Sequence, residues 1–205
     1  MKNYFSVSCQ CGSFKAQADV ASSKGLSHIV CYCEDCQAYI RHLEKSTQVL
    51  DDHGGTDIIQ MSPACLHIKN GQQNLGIVRL TERGIFRWYA TCCNTPLYNT
   101  PPSANMPFLG LLKHAVTDSA TSVRQLAGPV SVGVCAGAQY PFNADWPVKK
   151  GFGLAVMFGA LRNIVRWRTA GDHKKSELFD LTTGHAIVKP QVLTTEQRAA
   201  LSTNT

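Results

Sequence analysis

The stretch Cys31-Tyr32-Cys33-Glu34-Asp35-Cys36 packs three thiols into six residues, in the pattern C-x-C-x-x-C. Such a group is either a structural knot or a working metal site with one coordination position left open. Residues 27–30, Ser-His-Ile-Val, lead straight into it, so the knuckle is expected to cap a short strand.

Two further groups join it outward along the chain. Cys9 and Cys11 form a C-x-C near the start, and Cys92 and Cys93 are adjacent. Seven of the nine cysteines therefore fall into three tight groups; Cys65 and Cys135 stand alone and read as small buried residues. Clustered soft thiolates favour zinc, and seven ligands divide as four plus three. Four thiolates make a closed structural site. Three leave a position for water or a substrate thiol. Two zinc ions per chain are thus expected, one held by Cys9, Cys11, Cys92 and Cys93, the other by Cys31, Cys33 and Cys36. A bare redox cluster at residues 31–36 and a vicinal Cys92–Cys93 disulfide remain alternatives.

The composition agrees with this frame. The chain has 205 residues, 44% of them hydrophobic, enough for a core that holds without disulfides. The start, MKNYFSVSCQ, shows no apolar signal core, and the run GFGLAVMFGALRNIV is too short to cross a bilayer. A cytoplasmic protein with no membrane partner is expected, where thiols serve metal or catalysis. The formal charge is +6. Seven thiolates and two dications would lower it to about +3, which is no case for nucleic acid.

The first hundred residues are β-rich. Phe14–Val20 alternate apolar and polar, Asn70-Gly71 signals a turn, and residues 77–80 and 85–89 read as strands joined by a short turn. Pro96, Pro101 and Pro102 mark a change, after which Leu154, Met157, Phe158, Leu161, Ile164 and Val165 follow helical spacing, with Arg162 and Arg166 on the other face. Thr194-Thr195-Glu196-Gln197 is a capping box opening a last short helix. Two segments follow: a zinc-binding β domain over 1–104 and an α+β elaboration over 105–205, packed as one unit.

Other candidates are weaker. Arg162, Arg166, Arg168, Lys174 and Lys175 could form an anion site or a solvated helix face. His28 and His42 flank the knuckle and could approach the metal. Glu34 and Asp35 could relay protons or stay solvated. Asp52–Asp57, DHGGTD, reads as a loop rather than a phosphate cradle.

The three cysteine groups, in this order, resemble the glutathione-dependent formaldehyde-activating enzymes, a family that includes centromere protein V. Its pattern runs C-x-C-G, then C-x-C-x-x-C, then R-x-F-C-x-x-C-G-T-P-L. Here the elements are Cys9-Gln10-Cys11-Gly12, then Cys31 to Cys36, then Arg87-Trp88-Tyr89-Ala90-Thr91-Cys92-Cys93-Asn94-Thr95-Pro96-Leu97. The likeness covers residues 5–100. It implies a mainly β, β-tent-like zinc-binding fold of small antiparallel sheets, with a partly helical C-terminal extension. It also implies a carbon–sulfur lyase: glutathione, or a similar thiol, at the Cys31–Cys33–Cys36 zinc adds to a small aldehyde, as in S-hydroxymethylglutathione formation. The chemistry is sound, since a metal-bound thiol is deprotonated and the thiolate is the nucleophile. Three departures stand out. Ala90 occupies the place of a family cysteine, with Cys92 two residues on. Asn94 replaces a glycine. Residues 105–190 have no counterpart in the short family tail. The alternative is a non-catalytic zinc scaffold that binds a protein or anionic partner.

Overall fold

The computed structural model describes residues 3–20, 25–118, 120–128, 130, 132–135, 148–150 and 154–202. In chain order the elements are β1 (Tyr4–Ser8), β2 (Lys15–Asp19), β3 (Ser27–Cys31), α1 (Glu34–His42), α2 (Ser46–Val49), β4 (Thr56–Met61), β5 (Leu66–Asn70), β6 (Leu75–Arg79), β7 (Phe86–Ala90), β8 (Thr95–Thr100), β9 (Leu109–Leu112), α3 (Ala120–Ala127), β10 (Val132–Cys135), β11 (Val148–Lys150), α4 (Leu154–Thr169), β12 (Gln191–Val192) and α5 (Thr195–Ala200).

The fold is mainly β, as the sequence implies, with helices concentrated toward the C-terminal side. Two sheets form. The smaller has the order β1-β2-β5 and is antiparallel. The larger runs β11-β10-β3-β4-β9-β8-β7-β6-β12. Its central strands are antiparallel, while β10 joins β3, and β12 joins β6, in parallel. Both parallel additions come from the C-terminal half.

Strand alternation assigns the two faces of the larger sheet different tasks. One face meets the smaller sheet. Ile59 and Met61 of β4, Phe86 and Trp88 of β7, and Leu109 and Leu111 of β9 pack there with Phe5, Val7, Phe14 and Ala16. Leu178 and Phe179 complete this core from the C-terminal half. Trp88 is fully buried and donates its indole N–H to Thr100 Oγ1 at 3.0 Å, so its polar edge is satisfied. The opposite face carries α1. Tyr39, Ile40 and Leu43 of that helix pack on Val78, Leu80 and Leu112. Where the β7–β8 register shifts, between Trp88 and Tyr89, the Tyr39 hydroxyl donates to the Trp88 carbonyl at 2.6 Å.

Local signals match their elements. Gly71 takes φ +79 at the predicted turn, where a side chain would strike the Ser13 carbonyl. The Thr194–Gln197 capping box is formed on both sides. The long helix α4 is present, but its apolar stripe does not face the core. Leu154 is 85% exposed and Phe158 71%, with Met157, Leu161 and Val165 also outward. Asn163 and Trp167 supply the buried side instead, Asn163 donating to the Gly25 carbonyl at 2.8 Å. Among the described residues, no helix is long and apolar enough to cross a membrane.

His28 fixes β3 to the end of α3. Its Nε2 donates to Asp57 Oδ1 at 2.5 Å and its Nδ1 to the Gly128 carbonyl at 3.2 Å, so both nitrogens carry protons. The Asp57 bond raises the His28 pKa above the ordinary imidazole value of about 6.5, against the opposing effect of burial. The folded state therefore binds this proton more tightly than the unfolded chain. Its stabilisation is full below about pH 6.5 and fades as pH rises through the raised folded value. Urea unfolding of the wild type should show that loss on the alkaline side, and the difference from His28→Gln should shrink as pH rises.

Candidate functional site

The first cysteine group joins the two sheets. Cys9 follows β1 and starts a tight turn: Gly12 N–H donates to the Cys9 carbonyl at 3.0 Å, and Gly12 takes φ +78. Cys92 and Cys93 lie in the turn between β7 and β8, where Asn94 adopts φ 53. Asparagine tolerates this left-handed conformation, so loss of the expected glycine leaves the turn intact. The sulfurs stand close: Cys9–Cys11 3.5 Å, Cys9–Cys92 3.7 Å, Cys11–Cys92 3.3 Å and Cys92–Cys93 3.9 Å. A disulfide needs about 2.05 Å, so these thiols are free. A tetrahedral zinc with bonds of about 2.3 Å would set its sulfurs about 3.8 Å apart, and the cluster has nearly that size. These four residues could hold a metal ion. Ala90 is fully buried in the core, and Cys92 stands in the cluster.

Charge explains why a cation suits this cluster. A hydrogen bond with Ser13 lowers the Cys11 thiol to about 6, while desolvation and its sulfur neighbours push Cys92 up to about 12. Full ionisation of all four needs a positive ion among them. Phe14 N–H donates to Cys9 Sγ at 3.2 Å, orienting the buried member.

The second group sits on the outer face of the larger sheet. Cys31 ends β3. Cys33 is the N-cap of α1, its sulfur accepting the Cys36 N–H at 3.4 Å. Cys36 follows in the first turn, where the helix dipole favours negative charge. Cys31 and Cys33 sulfurs are 3.2 Å apart, and Cys36 is 3.5 Å from Cys31. This trio could also hold a metal ion. Hydrogen bonds from Cys31 and Cys33 hold Cys36 well below the usual thiol range, and Arg87 adds to this. Bonding to Cys33 and then Cys36, with burial, pushes Cys31 up. For Cys33 the Cys31 contact acts downward, but Cys36 and burial prevail and lift it to about 12. Of the three thiols, Cys36 is the one its surroundings favour as thiolate.

Arg87, which in the sequence carries only the resemblance, has a task at this centre. It is 4% exposed; its Nη1 donates to Cys36 Sγ at 3.7 Å, its Nη2 lies 4.0 Å from Asp35, and its guanidinium stands over the Tyr39 ring at 5.3 Å. Burial opposes its charge, yet Cys36 raises its pKa above the ordinary value. Three thiolates and a dication leave one negative charge, which Arg87 cancels. The buried centre is then neutral, as a low-dielectric site requires.

The trio opens onto a cleft of about 400 Å³ lined by Ile29, Ile58, Ile85 and Phe108, with Gln60, Asn99, Arg83 and Arg87 as polar groups. No local sequence pattern marks Asn99 or Gln60, because they reach the site from separate strands.

The remaining candidates resolve as follows. His28 is bound to Asp57 and Gly128, and His42 lies in the last turn of α1, at the end away from Cys33. Neither belongs to a candidate metal group among the described residues. Glu34 and Asp35 are engaged by Arg198 of α5 at 3.4 and 2.9 Å, so they dock the last helix on the knuckle. Asp51 Oδ1 accepts the His53 and Gly55 N–H groups, so the carboxylate just before the DHGGTD stretch fills its loop. Arg162 and Arg166 are exposed, while Arg168 donates to the Asn105 carbonyl. Cys65 is buried in the core, and the Cys135 side chain lies outside the described residues.

Residues 1–186 match the model of a family of unknown function (DUF6151), and the chain belongs to that family. No curated protein matches it. A crystal structure of a Rhodobacter sphaeroides protein is similar over 61% of this chain and 96% of that chain, at 13% identity and a TM-score of 0.39.

Arg87→Met removes the counter-charge and retains much of the packing. It should speed loss of metal from the Cys31–Cys33–Cys36 centre to a chelator by about tenfold or more. Release from the Cys9–Cys11–Cys92–Cys93 centre, followed in the same stopped-flow trace, should be unchanged.

Proposed function

We propose that this chain binds two zinc ions and acts as a carbon–sulfur lyase, joining a low-molecular-weight thiol such as glutathione to a small aldehyde. The observation that carries it is the pairing of three clustered sulfurs with an adjoining cleft, while Arg87 supplies the one counter-charge the centre needs. The resemblance to glutathione-dependent formaldehyde-activating enzymes supports the same reading.

The Cys9, Cys11, Cys92 and Cys93 set is structural. It lies at a solvent-facing edge, has four ligands of its own and clamps β1 to the β7–β8 turn. The Cys31, Cys33 and Cys36 set is the reactive centre. Zinc there would supply one thing: it holds a substrate thiol as thiolate at neutral pH. The chain's own residues do the rest. Cys33 anchors the helix start, Arg87 balances charge and fixes Cys36, and the apolar walls limit water around the reacting atoms. Hydrogen-bond donors near the carbonyl oxygen would come from Gln60 or Arg83, which line the same cleft.

A second reading rests on α4. Its outward stripe of Leu154, Met157, Phe158, Leu161 and Val165 suits a non-catalytic scaffold that docks a protein partner. The two readings part on one titration. Glutathione added to the cobalt-substituted protein should shift the thiolate-to-cobalt charge-transfer band if the reactive centre admits a thiol. A flat response favours the scaffold.

A further inference from the structure

Helix α4 turns its apolar side to water. Leu154, Met157, Phe158, Leu161 and Val165 are all more than half exposed and recur at steps of three and four residues, so they form one stripe along the helix. Asn163 and Trp167, on the opposite side, are buried and hold the helix to the fold, Asn163 by donating to the Gly25 carbonyl at 2.8 Å. Leaving so many large apolar side chains in water is unfavourable, and a contiguous patch of them marks a surface that meets an apolar partner.

Charge and shape narrow the partner. Residues 154–169 contain no aspartate or glutamate. Arg162 and Arg166 follow Leu161 and Val165 by one position and so border the stripe on one side. Both are exposed, and neither forms an ion pair among the described residues. A second copy of this chain fits badly. Two α4 helices packed stripe to stripe about a two-fold axis would bring the arginines of both to one seam, with no acidic side chain from either helix between them. A folded protein partner would need a register, and protein interfaces take theirs from about one hydrogen bond per 100–200 Å². The stripe offers no such group, being hydrocarbon and thioether throughout. An anionic lipid surface needs no register. It supplies an apolar layer for the stripe and, just above it, phosphates within reach of arginines at its border.

We propose that α4 docks this protein on a membrane surface rich in anionic lipid, with Leu154, Phe158 and Leu161 among the acyl chains and Arg162 and Arg166 on the lipid phosphates. The helix has 16 residues and is about 24 Å long, too short to cross a hydrocarbon core of about 30 Å but well suited to lie in its surface. The expectation of no membrane partner concerned spanning and does not bear on this. The docking surface is also separate from the lyase reading. Gly25, where Asn163 holds α4, precedes β3, whereas Cys31 ends that strand, and no residue of α4 lines the cleft beside the sulfurs.

The test is sedimentation of the full chain, purified under reducing conditions, with vesicles of phosphatidylcholine alone or with about one third phosphatidylglycerol. Wild type should bind the anionic vesicles about tenfold or more tighter than the neutral ones, and the preference should shrink as salt rises. Phe158→Glu, which sets a carboxylate in the stripe, should weaken binding to anionic vesicles by about tenfold or more. Replacing both arginines, Arg162→Gln and Arg166→Gln, should erase the anionic preference and leave binding to neutral vesicles unchanged. Circular dichroism checks that each variant is folded, and Leu161→Ser repeats the apolar test should Phe158→Glu fail that check. Wild type that sediments with neither vesicle would overturn the proposal and leave the stripe to a protein partner. Equal binding to both vesicles, or binding that the folded stripe variants leave unchanged, would overturn it as well. So would a dimer, seen by light scattering, that a folded stripe variant abolishes, because the stripe would then belong to a second copy.

Discussion

A guanidinium buried to 4% exposure must find a negative partner, and for Arg87 that partner is Cys36 Sγ at 3.7 Å, with Asp35 at 4.0 Å behind it. An isolated charge in such a position would be strongly destabilising. The contact therefore favours thiolate on the knuckle in the folded protein. One thiolate already satisfies Arg87, and three thiolates with a dication satisfy it equally, since both carry one net negative charge. The Tyr39 ring under the guanidinium and the Tyr39 hydroxyl on the Trp88 carbonyl extend the same contact into the sheet. Through them the knuckle, α1 and β7 are held as one piece.

The two cysteine groups differ in ways that follow from their places. The first is at an edge, where Cys11 and Cys92 are exposed and water can screen the negative charge left by four thiolates. It ties the smaller sheet to the larger across more than eighty residues of chain, a long loop to close. The second is buried against the outer face and has only three sulfurs, but it has a private counter-ion and an adjoining cleft. The C-terminal half is joined to this unit through β10 on β3, β12 on β6, and Arg198 on Glu34 and Asp35.

Much of the fold was legible where signals are local. The strand before the knuckle, the β6–β7 pair, the Gly71 turn and the Thr194 cap depend on neighbours within a few residues, and the structure has each of them. The cysteine groups were legible because metal ligation demands tight spacing, and Cys92 could be proposed in place of Ala90 on that ground. The cleft was not legible. Gln60, Asn99 and Gly110 become neighbours only through register, and a lone asparagine or glycine in a strand carries no mark of its task. Arg87 was quoted for resemblance alone; its burial is a tertiary fact. The α4 stripe shows the limit of periodicity: spacing gives a helix with an apolar side, but not which way that side faces. His28, adjacent to the knuckle in sequence, points away from Cys31 because successive strand residues alternate faces.

Both sulfur groups could hold a metal ion, the second through Cys31, Cys33 and Cys36. Elemental mass spectrometry on untagged protein, purified under reducing conditions, tests it most directly when wild type and Cys33→Ala are measured together. About two zinc ions per wild-type chain and about one in the variant are expected. A wild type with no bound metal, or a Cys33→Ala variant that keeps the full wild-type content, would contradict it.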